Sequence, residues 1–303
     1  MSQDKFKFMD DLSILEVILL TNIGLASHNP KLNVPSNIPS HNQFIPSEFL
    51  KTQKYLKDIN EWTESKKMEL NQKKTKSLIF NFTNDKQFTT NIKLKGETVE
   101  LVKESKLLGV IITNDIKWER NTNHIVKNAN KMMRMLHIAS KFTRNKIHLQ
   151  HIYKTFIRSR LEYASTLWHS SLTVSNRDDI ERIQKSALKV ILKDDYQGYK
   201  KSLKILRMES LYDRRERLAL KFAKKCLNQE KISDMFPKNM NQSNINIRNK
   251  EIFHVNHANT ERYRNSTIPF LQRKLNESKK IERKRLRALL QVNCVSYVDS
   301  ITS

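Results

Sequence analysis

Near its start the chain carries the run Lys5-Phe6-Lys7-Phe8-Met9-Asp10-Asp11-Leu12-Ser13-Ile14-Leu15. Apolar and polar residues alternate before the two acids, and a second apolar run follows them. This pattern predicts a β-hairpin with Asp10 and Asp11 at its turn. Paired carboxylates in that position suit Mg²⁺, which prefers oxygen ligands. The plainer alternative is a solvated turn, because aspartate is common in turns of every kind.

The charge of the chain is strongly positive and unevenly distributed. There are 56 Lys and Arg residues against 31 Asp and Glu, a net charge of +25. Residues 1–120 hold 18 basic and 15 acidic residues, whereas 121–303 hold 38 and 16. A nearly neutral part joined to a strongly basic part predicts a polyanionic partner, above all nucleic acid, for the second. Basic residues that only solvate helix faces would give the same count, so charge alone leaves both interpretations open.

Composition argues against several classes of protein. Two cysteines, Cys226 and Cys294, are too few for a disulfide framework or a cysteine-based zinc site. Only four glycines occur, and none forms a phosphate-binding loop. The apolar residues at 12–20 are interrupted by Ser13 and Glu16 and are too few to span a bilayer. We therefore expect an intracellular protein, nuclear or cytoplasmic, without a membrane partner.

Residues 1–120 read as a mixture of strands and one helix. Proline, asparagine and serine indicate loop, helical spacing of apolar residues indicates helix, and alternation or a short apolar run indicates strand. The predicted elements are a loop at 21–47, a helix at 46–67, a strand at 77–82, a hairpin at 89–102 and a strand at 107–113. The hairpin turn is placed at Lys95 and Gly96, and the last strand is predicted to be buried on both faces.

From Trp118 onward helical spacing replaces alternation. Helices are predicted at 121–140, 146–168, 175–193, 200–207, 210–228 and 286–292, with an irregular asparagine-rich stretch at 235–266. Asn121 or Thr122 is predicted to cap the first helix. Ser175 is predicted to cap the third, with Asp178 and Asp179 favourably placed in its first turn.

Four strings, in order along the chain, resemble segments of the reverse transcriptases of non-LTR, jockey-like retrotransposons. They are Phe8-Met9-Asp10-Asp11; Leu70-Asn71-Gln72-Lys73-Lys74-Thr75-Lys76; Lys106-Leu107-Leu108-Gly109-Val110-Ile111-Ile112; and Ile152-Tyr153-Lys154 through Leu161-Glu162-Tyr163-Ala164 to Ile183-Gln184-Lys185. In that family the corresponding segments are the acid box of the palm, an Asn-x-x-Lys-Thr segment, the primer-grip hairpin and the helical thumb. The resemblance covers nearly all of 5–275.

The resemblance implies an α+β fold in three parts. These are a partial polymerase palm of antiparallel strands plus a helix at 1–120, a helical thumb-like region at 121–230, and an irregular basic C-terminal extension at 231–303. The implied family activity is RNA-directed DNA polymerase, a nucleotidyltransferase, with an RNA template and a DNA primer as partners.

One departure from the family pattern changes the expected activity. The family's earlier palm aspartate and its fingers would lie before Phe6, so we expect 1–303 to act as a truncated reverse transcriptase without independent activity. The alternative is a non-catalytic or domesticated basic helical protein that binds nucleic acid.

The resemblance also assigns roles to particular residues. Asp10 and Asp11 would be the catalytic Mg²⁺ ligands, with weak metal binding in the absence of a third carboxylate. Lys74 would protonate the leaving pyrophosphate, although a lysine among lysines is equally a solvated surface residue. Leu108, Gly109 and Val110 would position the primer terminus, where glycine lets the backbone approach nucleic acid closely.

A second group of candidates follows from composition within the helical region. Lys154, Arg158 and Arg160 alternate with Tyr153, Tyr163 and Trp168. Cations and aromatic rings together are typical of surfaces that neutralise phosphates and stack on bases, yet the aromatic residues fit a helix core equally well. His148 and His151 have no third ligand at metal-binding spacing, so no metal is assigned to them. The basic residues at 279–287 fit a nuclear signal, an RNA contact or a solvated helix end.

Overall fold

The computed structural model describes residues 43–45, 51–80, 88–238 and 252–299, with side chains described over 52–80, 91–238 and 252–283. The fold is α+β, because helices dominate the described residues and the short strands pair in small sheets. The chain divides into two compact units between Arg120 and Asn121. The predicted hairpin with Asp10 and Asp11 lies outside the described residues.

In its described part, the first unit has one long helix and several short strands. The helix is α1 (Lys51–Ser65), and the strands are β1 (Gln43–Ile45), β2 (Lys76–Ser77), β3 (Phe88–Thr90), β4 (Lys93–Leu94), β5 (Glu97–Thr98), β6 (Glu100–Leu101), β7 (Glu104–Leu107) and β8 (Val110–Thr113). β1 pairs with β3 and β2 with β6 in parallel, whereas β4–β5 and β7–β8 are antiparallel. Sheets of two short strands are only marginally stable alone, so packing against a helix must support them.

The support comes from α1, which contacts β4. A small core joins the helix to the strands and consists of Leu56, Leu70, Ile92, Leu94 and Val99. The contact is also polar. Nε2 of Gln53 donates to the carbonyl of Lys93 at 2.9 Å, and Oε1 accepts from the N–H of Lys93 at 2.8 Å. Gln53 thus satisfies both backbone groups of an edge residue, as a neighbouring strand would.

The hairpin predicted at 89–102 is confirmed at its turn, where Lys95 and Gly96 connect β4 to β5. The strand predicted at 77–82 is wrong in its described part, because only Lys76–Ser77 is a paired strand. The loop predicted at 21–47 is wrong where β1 forms. Both errors have one cause. The partners of these strands lie far away in the sequence, and local alternation carries no information about such parallel pairing.

The second unit is helical. Its helices are α2 (Glu119–Phe142, which begins just before the unit boundary), α3 (Lys146–Ile152), α4 (Ser159–Glu162), α5 (Ser165–Trp168), α6 (Val174–Leu192), α7 (Tyr199–Ile205), α8 (Leu211–Cys226), α9 (Glu230–Ser233), α10 (Glu261–Arg264) and α11 (Thr267–Asp299). A π-helical segment (Tyr153–Arg158) joins α3 to α4, and 3₁₀ turns follow α5 and α6.

Helix α8 occupies a central position, since it contacts α5, α6 and α11. One apolar cluster joins α8 to α11 and to the segment between them: Ala219, Ala223, Cys226, Phe236, Phe253, Leu271 and Leu275. The start of α8 is held by Glu181 of α6, whose carboxylate accepts from the N–H groups of Leu211 at 3.2 Å and Tyr212 at 2.9 Å. An acid at this end also interacts favourably with the helix dipole.

Most predicted helices are present, with three corrections at their ends. Asn121 and Thr122 are not caps, because α2 begins at Glu119 and buries both residues. The N-cap of α6 is Thr173, whose side chain accepts from the N–H of Asn176 at 3.2 Å. Ser175 therefore lies inside α6, and no acid is in its first turn.

Two longer helices also differ from prediction. The predicted helix 146–168 breaks at Ala164, which adopts a left-handed conformation with φ of 50°. The predicted short helix 286–292 belongs to α11, which has 33 residues. The described part of 231–303 is thus mainly helical and packs on α8. It differs in this respect from the irregular extension that was predicted for 231–303.

Candidate nucleic-acid interface

Lys74 lies in an exposed turn that Asn71 organises. Oδ1 of Asn71 accepts from the backbone N–H of Lys74 at 3.1 Å. The carbonyl of Asn71 accepts from the N–H of Thr75 at 3.0 Å and from its hydroxyl at 2.8 Å. Asn71 is suited to this role because its short side chain can bond to nearby backbone. The Lys74 side chain is exposed, which suits a phosphate contact and simple solvation equally.

The buried strand predicted at 107–113 is wrong, because the chain reverses within it. Leu107 of β7 pairs with Val110 of β8, and Leu108 and Gly109 form a two-residue turn between them. Their φ angles, 46° and 84°, are both positive, as a type I′ turn requires. Leu108 is 63% exposed, whereas Val110 is buried. The tip of this hairpin thus presents a large apolar side chain on a backbone conformation that is costly for leucine.

The proposed catalytic and metal ligands, Asp10 and Asp11, are outside the described residues. Within the described ranges, no three His, Cys, Asp or Glu side chains are grouped closely enough to hold a metal ion. His148 and His151 lie on α3, and both are exposed.

The π-helical segment arranges the second group of predicted residues. π turns are rare and occur frequently at functional sites. Tyr153 is fully buried, and so is Trp168, which makes both core residues and not stacking platforms. Tyr163, in contrast, is 53% exposed. Lys154 and Arg158 are partly buried, and Arg160 is exposed.

Lys154 and Arg158 belong to a cluster of charges between the π-helical segment, α4 and α8. Nε of Arg158 lies 3.9 Å from Glu162, and Nε of Arg214 lies 2.7 and 2.9 Å from the two carboxylate oxygens of Glu162. Glu209 is 4.0 Å from Arg214 and forms a two-point contact with Arg217 at 2.8 and 3.1 Å. We call this group the α4–α8 cation cluster: Lys154, Arg158, Arg214 and Arg217 with Glu162 and Glu209.

The cation cluster has more positive than negative charge, and the pKa values of two of its cations are lowered. Partial burial and the neighbouring charges of Arg158 and Arg214 lower the pKa of Lys154. Partial burial and Arg214 likewise lower the pKa of Arg158. Each shift means that the charged form is disfavoured by its surroundings. A bound anion would offset the repulsion between these neighbouring cations, so the cluster is suited electrostatically to a phosphate.

Arg160 does not join the cluster. It follows Arg158 by two residues, so the two side chains leave the helix on nearly opposite faces. Sequence reasoning missed Arg214 and Arg217 of α8 and Glu209, which lies just before that helix. They are more than fifty residues away from Lys154, and no local pattern links them to it.

A buried chain of charges lies behind this surface. Arg215 is fully buried, with its guanidinium 5.9 Å from the Trp168 ring, and its Nε donates to Nδ1 of His169 at 3.2 Å. Since arginine can only donate, Nδ1 of His169 accepts, and Nε2 carries the proton toward Glu216 at 3.3 Å. Glu216 also pairs with Lys274 of α11 at 2.7 Å.

The pKa values of His169 and Glu216 follow from burial and pairing. Burial, reinforced by Arg215, lowers the pKa of His169 below its ordinary value of 6.5. Burial alone would raise the pKa of Glu216, but the hydrogen bonds from His169 and Lys274 outweigh it and lower that pKa to about 2. The interior of the unit therefore favours a neutral imidazole next to an ionised carboxylate.

Comparisons with known proteins give no relative. No protein-family model matches the chain, and neither a curated protein nor a solved structure matches it. In the part of the chain that the structure describes, no helix has both the length and the apolar character required to cross a membrane.

Proposed function

We propose that this chain is part of a reverse transcriptase of the non-LTR retrotransposon type and that its second unit binds nucleic acid. The observation that carries the binding proposal is the α4–α8 cation cluster. It holds four cations against two carboxylates, and two of its cations have lowered pKa values. The basic excess of 121–303 supplies the long-range attraction that a polyanion would experience.

The family part of the proposal is supported by the order of elements. A turn with Lys74 is followed by the hairpin with Leu108 and Gly109 at its tip, and then by helices. In this reading the hairpin tip contacts the primer terminus, and Lys154 and Arg158 contact the backbone of a primer on its RNA template. Asp10 and Asp11 would supply the carboxylate oxygens that Mg²⁺ prefers.

The alternative is a non-catalytic protein that uses the same basic helical unit to bind nucleic acid. The cation cluster fits it equally well, because phosphate binding there needs no metal. The genomic sequence upstream of codon 1 separates the two. An open frame that encodes a Phe-x-x-x-Asp strand would favour the polymerase, and stop codons in that frame would favour the non-catalytic protein.

Binding is tested by titrating a labelled primer–template and a single-stranded RNA with 1–303 at several salt concentrations. Each neutralised phosphate should contribute roughly 0.7 to 0.9 to the slope of log affinity against log salt. Lys154→Gln should reduce this slope by about one contact. Lys57→Gln, at an exposed lysine of α1 paired with Glu61, is the matched control and should leave it unchanged. Absence of binding at low salt, or a salt-independent affinity, would refute the proposal.

A further inference from the structure

A groove in the second unit lies beside the cation cluster, between the α4–α5 break and α8. It is an open, shallow depression of about 550 Å³, comparable in volume to the roughly 300–1,000 Å³ of ligand sites but less enclosed. One wall begins with Glu162 and continues through the left-handed Ala164 to Thr166. The other wall is the α8 face that carries Leu218, Lys221, Phe222, Lys224 and Lys225, and it ends at Asn228. We call this feature the α8 groove.

The α8 wall of the groove has an apolar part. Phe222 is 42% exposed, and Leu218 precedes it by one helical turn, so both side chains lie on the same face of α8. A partly exposed phenyl ring in a concave surface offers a flat face for another ring. Base–aromatic stacking uses such a face and tolerates any base.

The charge of the groove is positive. Among the described residues, no carboxylate lies within ion-pairing distance of Lys221, Lys224 or Lys225. The one acid in the lining, Glu162, is already paired with Arg158 and Arg214. Lys224 interacts with Glu282 at longer range. The groove therefore combines lysines that form no close ion pair with an apolar surface, and it is continuous with the cation cluster through Glu162.

We propose that the α8 groove binds a single-stranded segment of nucleic acid, with an unpaired base against Phe222 and the flanking phosphates on Lys221 and Lys225. This inference rests on the proposed function, since it assigns one strand type to one part of the basic unit. A duplex does not fit this chemistry, because paired bases already stack on their neighbours and leave no face for Phe222. An acidic peptide would satisfy the lysines but would leave the phenyl face unused.

The test uses full-length 1–303 and three labelled ligands of equal length: a single-stranded RNA, its duplex, and an abasic strand. Phe222→Ala should weaken binding of the single-stranded RNA by about 5- to 150-fold, the range for one lost stacking contact. It should leave binding of the duplex and the abasic strand nearly unchanged. Phe142→Ala, at an 86% exposed phenylalanine of α2, is the matched control and should affect none of them. Phe222→Tyr keeps a ring and should retain wild-type affinity.

The lysines are tested through the salt slope. Lys221→Ala with Lys225→Ala should lower the slope for single-stranded RNA by about 1.4, the value for two contacts. Lys200→Ala with Lys201→Ala, at exposed positions of α7, is the matched control for total charge. Photocrosslinking of a 4-thiouridine RNA should label the peptide that contains Phe222.

Each outcome decides between the two proposals. If all three ligands bind but Phe222→Ala weakens none of them, or weakens all equally, the groove proposal is overturned and the proposed function stands. The same holds if a polyglutamate peptide binds more tightly than the RNA and is sensitive to the lysine variant. If no nucleic acid binds at low salt, both proposals fail.

Discussion

Arg215 Nε donates a hydrogen bond to Nδ1 of His169 across 3.2 Å, and burial together with the charge of Arg215 disfavours protonation of this imidazole. A proton on Nδ1 would face the donor of a permanently charged guanidinium. It would also add positive charge near Arg177, whose charge already disfavours imidazolium. The relationship links the 3₁₀ turn after α5 to α8 and, through Glu216 and Lys274, to α11.

The first prediction concerns acid stability. Because the pKa of His169 is lowered in the folded chain, the unfolded chain binds the proton more readily, and stability should fall as pH drops below about 6.5. Glu216 has a lowered pKa too, so its contribution should be lost in a second window, from 4.5 down to about 2. Thermal unfolding between pH 7.5 and 5 measures the first window.

His169→Asn keeps an oxygen that can accept from Arg215 but cannot titrate. This variant should be less stable at pH 7.5 and show a flatter pH dependence between pH 7 and 5. His148→Asn, at an exposed position of α3, should retain the wild-type profile. An unchanged slope in His169→Asn would show that another group controls acid unfolding.

A second prediction concerns Tyr153, whose ring is fully buried. Its hydroxyl has no hydrogen-bond partner among the described residues, and burying an unpaired hydroxyl costs about 1–3 kcal/mol. Tyr153→Phe should therefore leave the free energy of unfolding unchanged or raise it by about 1 kcal/mol. Tyr153→Ala should lower it by about 3–5 kcal/mol, because it also empties the ring's space. Urea titration measures both, and a clear loss in Tyr153→Phe would contradict the unpaired state.

The hairpin tip gives a third prediction. Leu108 has a left-handed backbone, which costs a non-glycine residue about 1–2 kcal/mol, and Asn-Gly is favoured in type I′ turns. Leu108→Asn should raise the free energy of unfolding of the first unit by about 1 kcal/mol. If the leucine contacts a primer, the same variant should weaken primer–template binding, so stability and affinity would change in opposite directions.

The turn at Lys95 and Gly96 is the internal comparison, since its φ angles are 52° and 87°. Lys95→Asn should also relieve backbone strain. It removes the exposed ion pair between Lys95 and Glu69, so its gain should be smaller than that of Leu108→Asn. Equal affinity of wild type and Leu108→Asn for primer–template would argue against a primer contact.

The fourth prediction concerns Arg158 and Arg160, which the sequence analysis gave the same role but which differ in burial. Arg160 is exposed and outside the cation cluster, so Arg160→Ala should change stability little and lower the salt slope only if it touches phosphate. Arg158 is half-buried against Glu162, so Arg158→Ala should lower stability by about 1–3 kcal/mol. Urea titration and salt-dependent binding of both variants provide the measurement, and identical behaviour of the two would contradict the structure.

Elements that depend on neighbouring residues in the sequence, such as α8 and the turn at Lys95 and Gly96, were predicted from the sequence. Helix α8 was predicted at 210–228 from its helical spacing, and the structure shows that Ser210 is its N-cap. The turn at Lys95 and Gly96 was predicted because alternating strands flank a glycine. At Leu108 and Gly109 the residue pattern predicted a continuous strand, because leucine is unusual in a left-handed turn and extends the apolar run; only the family resemblance implied a hairpin there.

The part of α11 before the predicted helix 286–292 was missed for a different reason. Its buried contacts in the described region include Leu271, Gln272 and Leu275, and the charged residues Arg273 and Lys274 interrupt them in the sequence. Pro269 also suggests a break, although proline is tolerated in the first turn of a helix. The cation cluster and the Arg215–His169 contact were not predictable, because tertiary packing joins helices separated by many residues.

The position of Cys226 has a consequence for how motion of this chain can be observed. Cys226 is 3% exposed in the apolar cluster between α8 and α11, and its burial raises the pKa of its thiol. A thiol reagent can react only when the cluster opens, so in a Cys294→Ser background the labelling rate at Cys226 would report how often α11 separates from α8. Measuring that rate with and without nucleic acid would show whether a ligand in the α8 groove changes the packing of α8 against α11.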